Sequence, residues 1–273
     1  MEEPKRVLFV NSEIFPYLPE SDISSIGRYL PQGIQENGKE IRSFMPRYGL
    51  INERRNQLHE VIRLSGMNLV INNCDRPLVI KVSSISSARM QVYFIDNEDY
   101  FHRKALYRDS EGVFMEDNDE RALFFARGVL ETVKKLRWKP DIVHCQGWIS
   151  HFLPALLKNV YRTDPIFADT KVVLSLYNDL SDERFSDELP SKMLRENLGK
   201  EDASILTPAN GINLAKLAIR YSDGIIFGAR DINEEVDSYA KKSGIPCLPY
   251  IEAGSEDKSY ITEYNNFYDK ILN

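Results

Sequence analysis

Apolar residues in this chain fall into short runs spaced as alternating strands and helices. Val7-Leu8-Phe9-Val10 is a continuous apolar run of the kind buried on both faces of a parallel sheet. From Asp22 onward, Ile23, Ile26, Leu30 and Ile34 recur at spacings of three and four. Ser21 or Asp22 can cap the start and Gly38 can close the end, which predicts an amphipathic helix despite Pro31. Residues 40–46 alternate as a second strand and complete a β-α-β unit. Shorter alternating runs over 58–64, 78–82 and 91–95, separated by Asn72-Asn73-Cys74-Asp75 and by residues 83–87, read as a hairpin insertion in the sheet.

A long helix is expected from about Asp119. Leu123, Phe124, Arg127, Leu130, Val133 and Leu136 form a stripe at helical period, and Trp138-Lys139-Pro140 stops it. Strands over 141–145 and 172–176, a helix over 152–160 between them, and segments 212–221, 224–227 and 231–241 continue the rhythm. The fold class is therefore α/β: a Rossmann-like, doubly wound, mostly parallel sheet with helices on both faces, occupying residues 1–244. Residues 245–273 are expected to add an extension with at most a short edge strand over 245–250 and a polar stretch over 253–258. In its closing helix Tyr264, Phe267, Tyr268 and Ile271 share one face, which is expected to dock on the same domain.

Composition narrows the function. A chain of 273 residues with 42% hydrophobic content can bury one substantial core or two small ones, with a single α/β domain as the default. The formal charge is −6 and the 35 basic residues form no stripe, which disfavours a nucleic-acid partner. Cys74, Cys145 and Cys247 are too few and too scattered for a disulfide framework, and Cys145 reads as a buried thiol, so a reducing cytoplasm fits. No apolar run reaches membrane-spanning length and no signal-peptide pattern opens the chain, so a cytoplasmic protein without a membrane partner is expected. No phosphate-binding P-loop, serine nucleophile elbow or metal-spaced histidine pair appears, and neither a cofactor nor a metal is expected.

Specific residues then carry a resemblance. Tyr93-Phe94-Ile95-Asp96-Asn97 is followed by Tyr100-Phe101-x-Arg103, Leu106-Tyr107, Asp117-Asn118-x-x-Arg121, Phe124-Phe125 and Val129-Leu130-Glu131. Around these lie Glu13-x-x-Pro16, Leu30-Pro31, Met45-Pro46-Arg47-Tyr48-Gly49, Pro140-Asp141-Ile142-Val143-His144 with Trp148, Asn178, and Lys216-x-Ala218-Ile219-x-Tyr221-Ser222-Asp223. Over roughly residues 5–240 the chain resembles the N-terminal half of the bacterial glycogen synthase and plant starch synthase family. The resemblance implies one of two facing Rossmann-like domains, the one that helps to hold the glucan acceptor, while the second holds most of ADP-glucose. The chain ends before that second domain.

The resemblance also exposes departures. The family's lysine and glycine pair, which contact the donor phosphates, correspond to Pro19, Ser21 and Asp22. Its histidine and aspartate after the fourth strand correspond to Gln146 and Gly147, with Trp148 retained. Its next strand-end histidine, close to the transferred glucose, is Tyr177, and its threonine-valine-serine near the domain crossover is Phe227-Gly228-Ala229. Ser21 and Asp22 are also explained by capping of the following helix.

Candidate acceptor or ligand contacts are Tyr107, Asp117, Asn118, His144, Trp148, Tyr177 and Asn178. Trp148 and Tyr177 can form a platform for a sugar ring or can simply pack. His144 can be a ligand contact or a satisfied core histidine, and Asp117 or Asn118 can be helix caps. The expected protein is a glycogen/starch synthase-like member of α-glucan metabolism, not catalytic as an isolated chain. Expected partners are an α-glucan and either a separately encoded donor domain or a second copy. The alternatives are a glucan-binding scaffold that recruits a true synthase, or a pocket remade by Gln146 and Tyr177 for an unrelated small ligand.

Overall fold

In the computed structural model, which describes residues 3–180, 183–252 and 259–273, the opening apolar run is strand β1 (Arg6–Asn11), buried along nearly its whole length. Helix α1 (Asp22–Glu36) starts at Ser21. The Ser21 hydroxyl accepts the Ser24 N–H at 3.1 Å while the Ser24 hydroxyl accepts the Ser21 N–H at 2.8 Å, a reciprocal cap. Strand β2 (Glu40–Pro46) returns parallel to β1.

The insertion differs from its expected spacing. The strand expected over 58–64 shrinks to β3 (His59–Glu60), because the chain turns at Val61, whose carbonyl accepts the Leu64 N–H. The hairpin partner is instead β4 (Met67–Ile71), in which Leu69 and Ile71 are buried and Asn68 and Val70 exposed. It is joined to β5 (Cys74–Ile85) by Asn72 and Asn73 at φ 49° and 61°, a conformation asparagine tolerates. β5 runs on through Ser83 and Ser84, since the Ser83 hydroxyl is buried and donates to the Asn56 carbonyl at 2.6 Å. Strand β6 (Met90–Asp96) then pairs β5 antiparallel and β2 parallel.

After the short α2 (Glu98–Phe101) comes α3 (Asn118–Leu136), closed by Arg137 in the left-handed conformation. The alternation continues with β7 (Ile142–Gln146), α4 (Phe152–Asn159), β8 (Lys171–Leu176), α5 (Leu189–Arg195), α6 (Lys200–Ile205), α7 (Gly211–Arg220), β9 (Gly224–Phe227), α8 (Glu234–Lys242), β10 (Cys247–Leu248) and α9 (Ser259–Leu272). Helices α5 and α6 fall in a stretch that the sequence pattern leaves unassigned. The polar stretch expected over 253–258 lies outside the described residues.

The strand order β10-β9-β8-β7-β1-β2-β6 is parallel throughout, with β5 antiparallel on β6 and both β3 and β4 on β5. The α/β, mostly parallel architecture is thus as expected. From β1 the chain moves to β2 on one side and comes back to the other side through β7, so the carboxyl ends of β1 and β7 flank a topological switch point, where open α/β sheets bind ligands.

Strand alternation divides the interior. Leu8, Val10, Val143 and Cys145 belong to the core that includes the buried faces of α3, α4 and α7, whereas Val7, Phe9 and Ile142 pack with Ile26, Leu30 and Ile34 of α1 and with α9. α9 buries Tyr260, Ile261, Tyr264, Phe267, Tyr268 and Ile271, and Lys39 ties its outer side through Asp269 at 2.8 Å. Among the described residues, no helix is long and apolar enough to cross a membrane.

Candidate ligand-binding site

A cavity of about 270 Å³ opens beside the switch point, lined by Tyr107, Arg108, Phe114, Trp148, Asp179 and Glu183 among others. Each wall has a local cause. Trp148 follows Gly147 directly off β7, is 1% exposed, and meets Tyr107 edge-on at 4.7 Å between ring centres and Phe114 and Phe185 at 5.8 Å each. Tyr107 and Phe114 stand on the two arms of a small hairpin whose tip is held by the Asp109 carboxylate, which accepts the Glu111 and Val113 N–H groups, with Gly112 at φ 81°.

Asp117 and Asn118 brace this hairpin. Neither makes a side-chain capping bond to α3. Asp117 instead accepts Arg103 at 2.7 Å, and Asn118 donates to the Tyr107 carbonyl at 2.8 Å while accepting from the buried Arg121 at 2.6 Å. The Tyr107 hydroxyl shares a 2.7 Å hydrogen bond with that of Tyr48. Burial, with the neighbouring Tyr48 adding to it, raises the Tyr107 phenol well above its ordinary range, so it stays neutral.

Two residues in the wall, Asp179 and Glu183, are missing from the sequence-derived candidates. Asp179 lies two positions past Tyr177 in the loop after β8, the kind of strand-end loop that carries ligands in such sheets, and that position was the available signal. Its Oδ2 accepts the Trp148 backbone N–H at 2.9 Å. Burial pushes its carboxyl up to about 6, an effect the Trp148 N–H opposes and the Glu13 charge adds to. Glu183 is paired with Arg108, which also donates to the Gly112 carbonyl at 2.7 Å.

The remaining candidates lie elsewhere. His144 is buried on the α9 side of the sheet with both ring nitrogens engaged, Nε2 with the Ser175 hydroxyl and Nδ1 with the Tyr268 hydroxyl, each at 2.7 Å. Burial lowers its pKa to about 3, so it is a neutral part of the core. Tyr177 follows Ser175 by strand alternation on that same side, and its hydroxyl accepts from Gln146 at 3.0 Å, so Trp148 and Tyr177 do not form one platform. Asn178 is exposed at the strand end, and Pro19, Ser21 and Asp22 are exposed where α1 begins. Between these positions, the buried side chains of Asn11 and Ser12 and the Gln146 Oε1 have no hydrogen-bond partner among the described residues. Among those residues, no group of three or more histidine, cysteine or acidic side chains is gathered to hold a metal ion.

Residues 6–245 match the starch synthase catalytic domain. The chain belongs to the glycogen/starch synthase family. The glycogen synthase of Chlorobium limicola is 36% identical over 233 residues, which is 85% of this chain and 47% of that protein. That of Chlorobaculum tepidum is 36% identical over 220 residues, 80% and 44% respectively. The chain thus spans about half the length of these curated relatives. The catalytic domain of starch synthase IV from Arabidopsis thaliana, solved with ADP and acarbose, superposes with a TM-score of 0.73 at 16% identity, covering 92% of this chain and 52% of that one, a likeness of fold.

Two of the departures that the resemblance implies meet in the structure. A Cβ on Gly228, where the resemblance implies valine, would lie 2.6 Å from Cε1 and Cζ of Tyr177, where it implies histidine. The larger ring therefore occupies space that only glycine leaves. Gly228→Val is expected to destabilise the protein by about 1–3 kcal/mol through overpacking. In a Tyr177→His background most of that cost should vanish, a coupling of about 1–2 kcal/mol in a denaturant-unfolding cycle of the four proteins. Additive effects would show that the two positions are energetically independent.

Proposed function

We propose that this chain binds α-glucan in the cavity walled by Tyr107, Phe114 and Trp148, as a glycogen/starch synthase-like protein that does not turn over ADP-glucose by itself. The observation that carries this reading is the chemistry of the wall: aromatic rings beside the carboxylates of Asp179 and Glu183, with its arginine, Arg108, already engaged. Aromatic faces accept the apolar face of a sugar ring and carboxylates accept its hydroxyls, whereas a pyrophosphate needs free cations or glycine amides. The exposed Pro19-Glu20-Ser21-Asp22 loop supplies neither, and its Ser21 already caps α1.

Calorimetric titration with maltoheptaose, ADP and ADP-glucose separates the possibilities. The glucan is expected to bind with a Kd of about 1 mM or tighter, equivalent to roughly 4 kcal/mol, and the two nucleotides not at all. Nucleotide affinity without glucan affinity would overturn the reading.

A further inference from the structure

At the switch point, one strand end is bare and its neighbour reaches across. Gly147 sits at φ 82°, a conformation side chains rarely adopt, and a Cβ there would lie 2.1 Å from the Ser12 hydroxyl. Position 147 therefore carries nothing into the cavity. The Asp179 carboxylate lies against this gap, its Oδ2 3.6 Å from where that Cβ would be, and is held by the N–H of Trp148. Trp148 thus acts twice: its ring forms the wall, and its backbone fixes the carboxylate beside that ring.

Asp179 forms no ion pair among the described residues. Glu183 from the same loop is taken by Arg108, and Glu13 from the loop after β1 adds negative charge, while the nearby phenols Tyr48, Tyr107 and Tyr177 stay neutral because burial raises their pKa values. A carboxylate set into a protein wall without a cation is stabilised by hydrogen-bond donors. The hydroxyls of a neutral sugar supply donors without adding negative charge. A phosphate would bring a like charge toward Asp179 and Glu13. The indole N–H of Trp148, buried and without a partner among the described residues, leaves a donor in the residue that forms the wall.

We propose that Asp179 is the residue that recognises sugar hydroxyls in this cavity, delivered from the loop after β8 into the space beside the bare Gly147. The inference rests on the glucan reading above and adds to it the side chain that reads the ligand. If Asp179 served only to cap the turn at Trp148, asparagine would do as well, since its side-chain oxygen can accept the same N–H.

The test titrates the full chain with maltoheptaose from pH 5 to pH 8 as wild type, Asp179→Asn and Glu13→Gln. Wild-type affinity should be constant above pH 7 and fall about tenfold per unit below pH 6, where the carboxylate takes up its proton. Asp179→Asn should bind about 10- to 100-fold more weakly at pH 7.5, the effect of losing charge-assisted hydrogen bonds, and show no such fall. Glu13→Gln should retain the affinity at pH 7.5 and a fall at lower pH, with the fall displaced toward lower pH because a negative charge that raises the Asp179 carboxyl is gone. Asp179→Asn should also melt no lower than wild type at pH 8, because it removes a partly buried charge that lacks a cation. Equal affinity of wild type and Asp179→Asn overturns the assignment and leaves glucan binding intact, while absence of wild-type binding overturns both. If the asparagine variant is itself unstable, the wild-type profile decides, and a flat profile between pH 5 and pH 8 overturns the proposal.

Discussion

Deleting α9 will leave a chain that no longer holds a native fold at 25 °C. The helix buries Tyr260, Ile261, Tyr264, Phe267, Tyr268 and Ile271 against Val7, Phe9, Ile142, Val173 and Ile226 of the sheet and Ile26, Leu30 and Ile34 of α1. Its loss would bare the sheet and α1 side of that contact, at about 1.5–3 kcal/mol for each large side chain exposed to water, against a total stability on the order of 5–15 kcal/mol. It would also strip His144 of the Tyr268 hydroxyl and of the α9 rings that cover it, opening that side of the sheet to water. Circular dichroism and dye binding on a chain ending at Glu252 test this. A cooperative melt within a few degrees of the full chain would show that the sheet face does not depend on α9.

Supplied with ADP-glucose and maltoheptaose together, the isolated chain will incorporate no glucose above a protein-free control. Removing a single preorganised contact to developing charge costs roughly 10²–10³ in rate. Here the positions that the family resemblance assigns to such contacts hold Pro19, which is exposed and has no amide hydrogen, Gly147, which has no side chain, and Tyr177, whose hydroxyl is engaged by Gln146. Radiolabel transfer to glucan is a sensitive measure. Incorporation that scales with protein concentration, and survives removal of any co-purifying synthase, would sink the non-catalytic reading.

The elements legible in the sequence are those whose burial leaves a periodic trace. β1 is apolar from Val7 to Val10 because helices cover both its faces, and α1 shows its three-and-four spacing because one side meets solvent. Helices α5 and α6, of 7 and 6 residues, are too short to complete a recognisable stripe. β4 was present as an alternation in Met67–Ile71, but the stronger apolar run just before it drew the strand to 58–64.

The site was legible only where residues travel together along the chain. Tyr107 and Trp148 were found as motif members, and both line the cavity. His144 belongs to the same motif yet faces away, because a strand apolar on both sides does not reveal which alternate positions point to which helix layer. Asp179 and Phe114 reach the cavity from loops whose proximity depends on the order of strands in the sheet, which spacing does not record.

The crowding around Gly147 and Gly228 also bears on any attempt to restore the family side chains. An aspartate at 147 would need both a different backbone angle and a displaced Ser12, and a valine at 228 would need the Tyr177 ring to move first. Restoring either side chain alone therefore leaves a clash that a neighbour must relieve: Ser12 has to move for position 147 and the Tyr177 ring for position 228. Engineering the family side chains back into this site has to begin with the residues that fill the space, and not with the glycines.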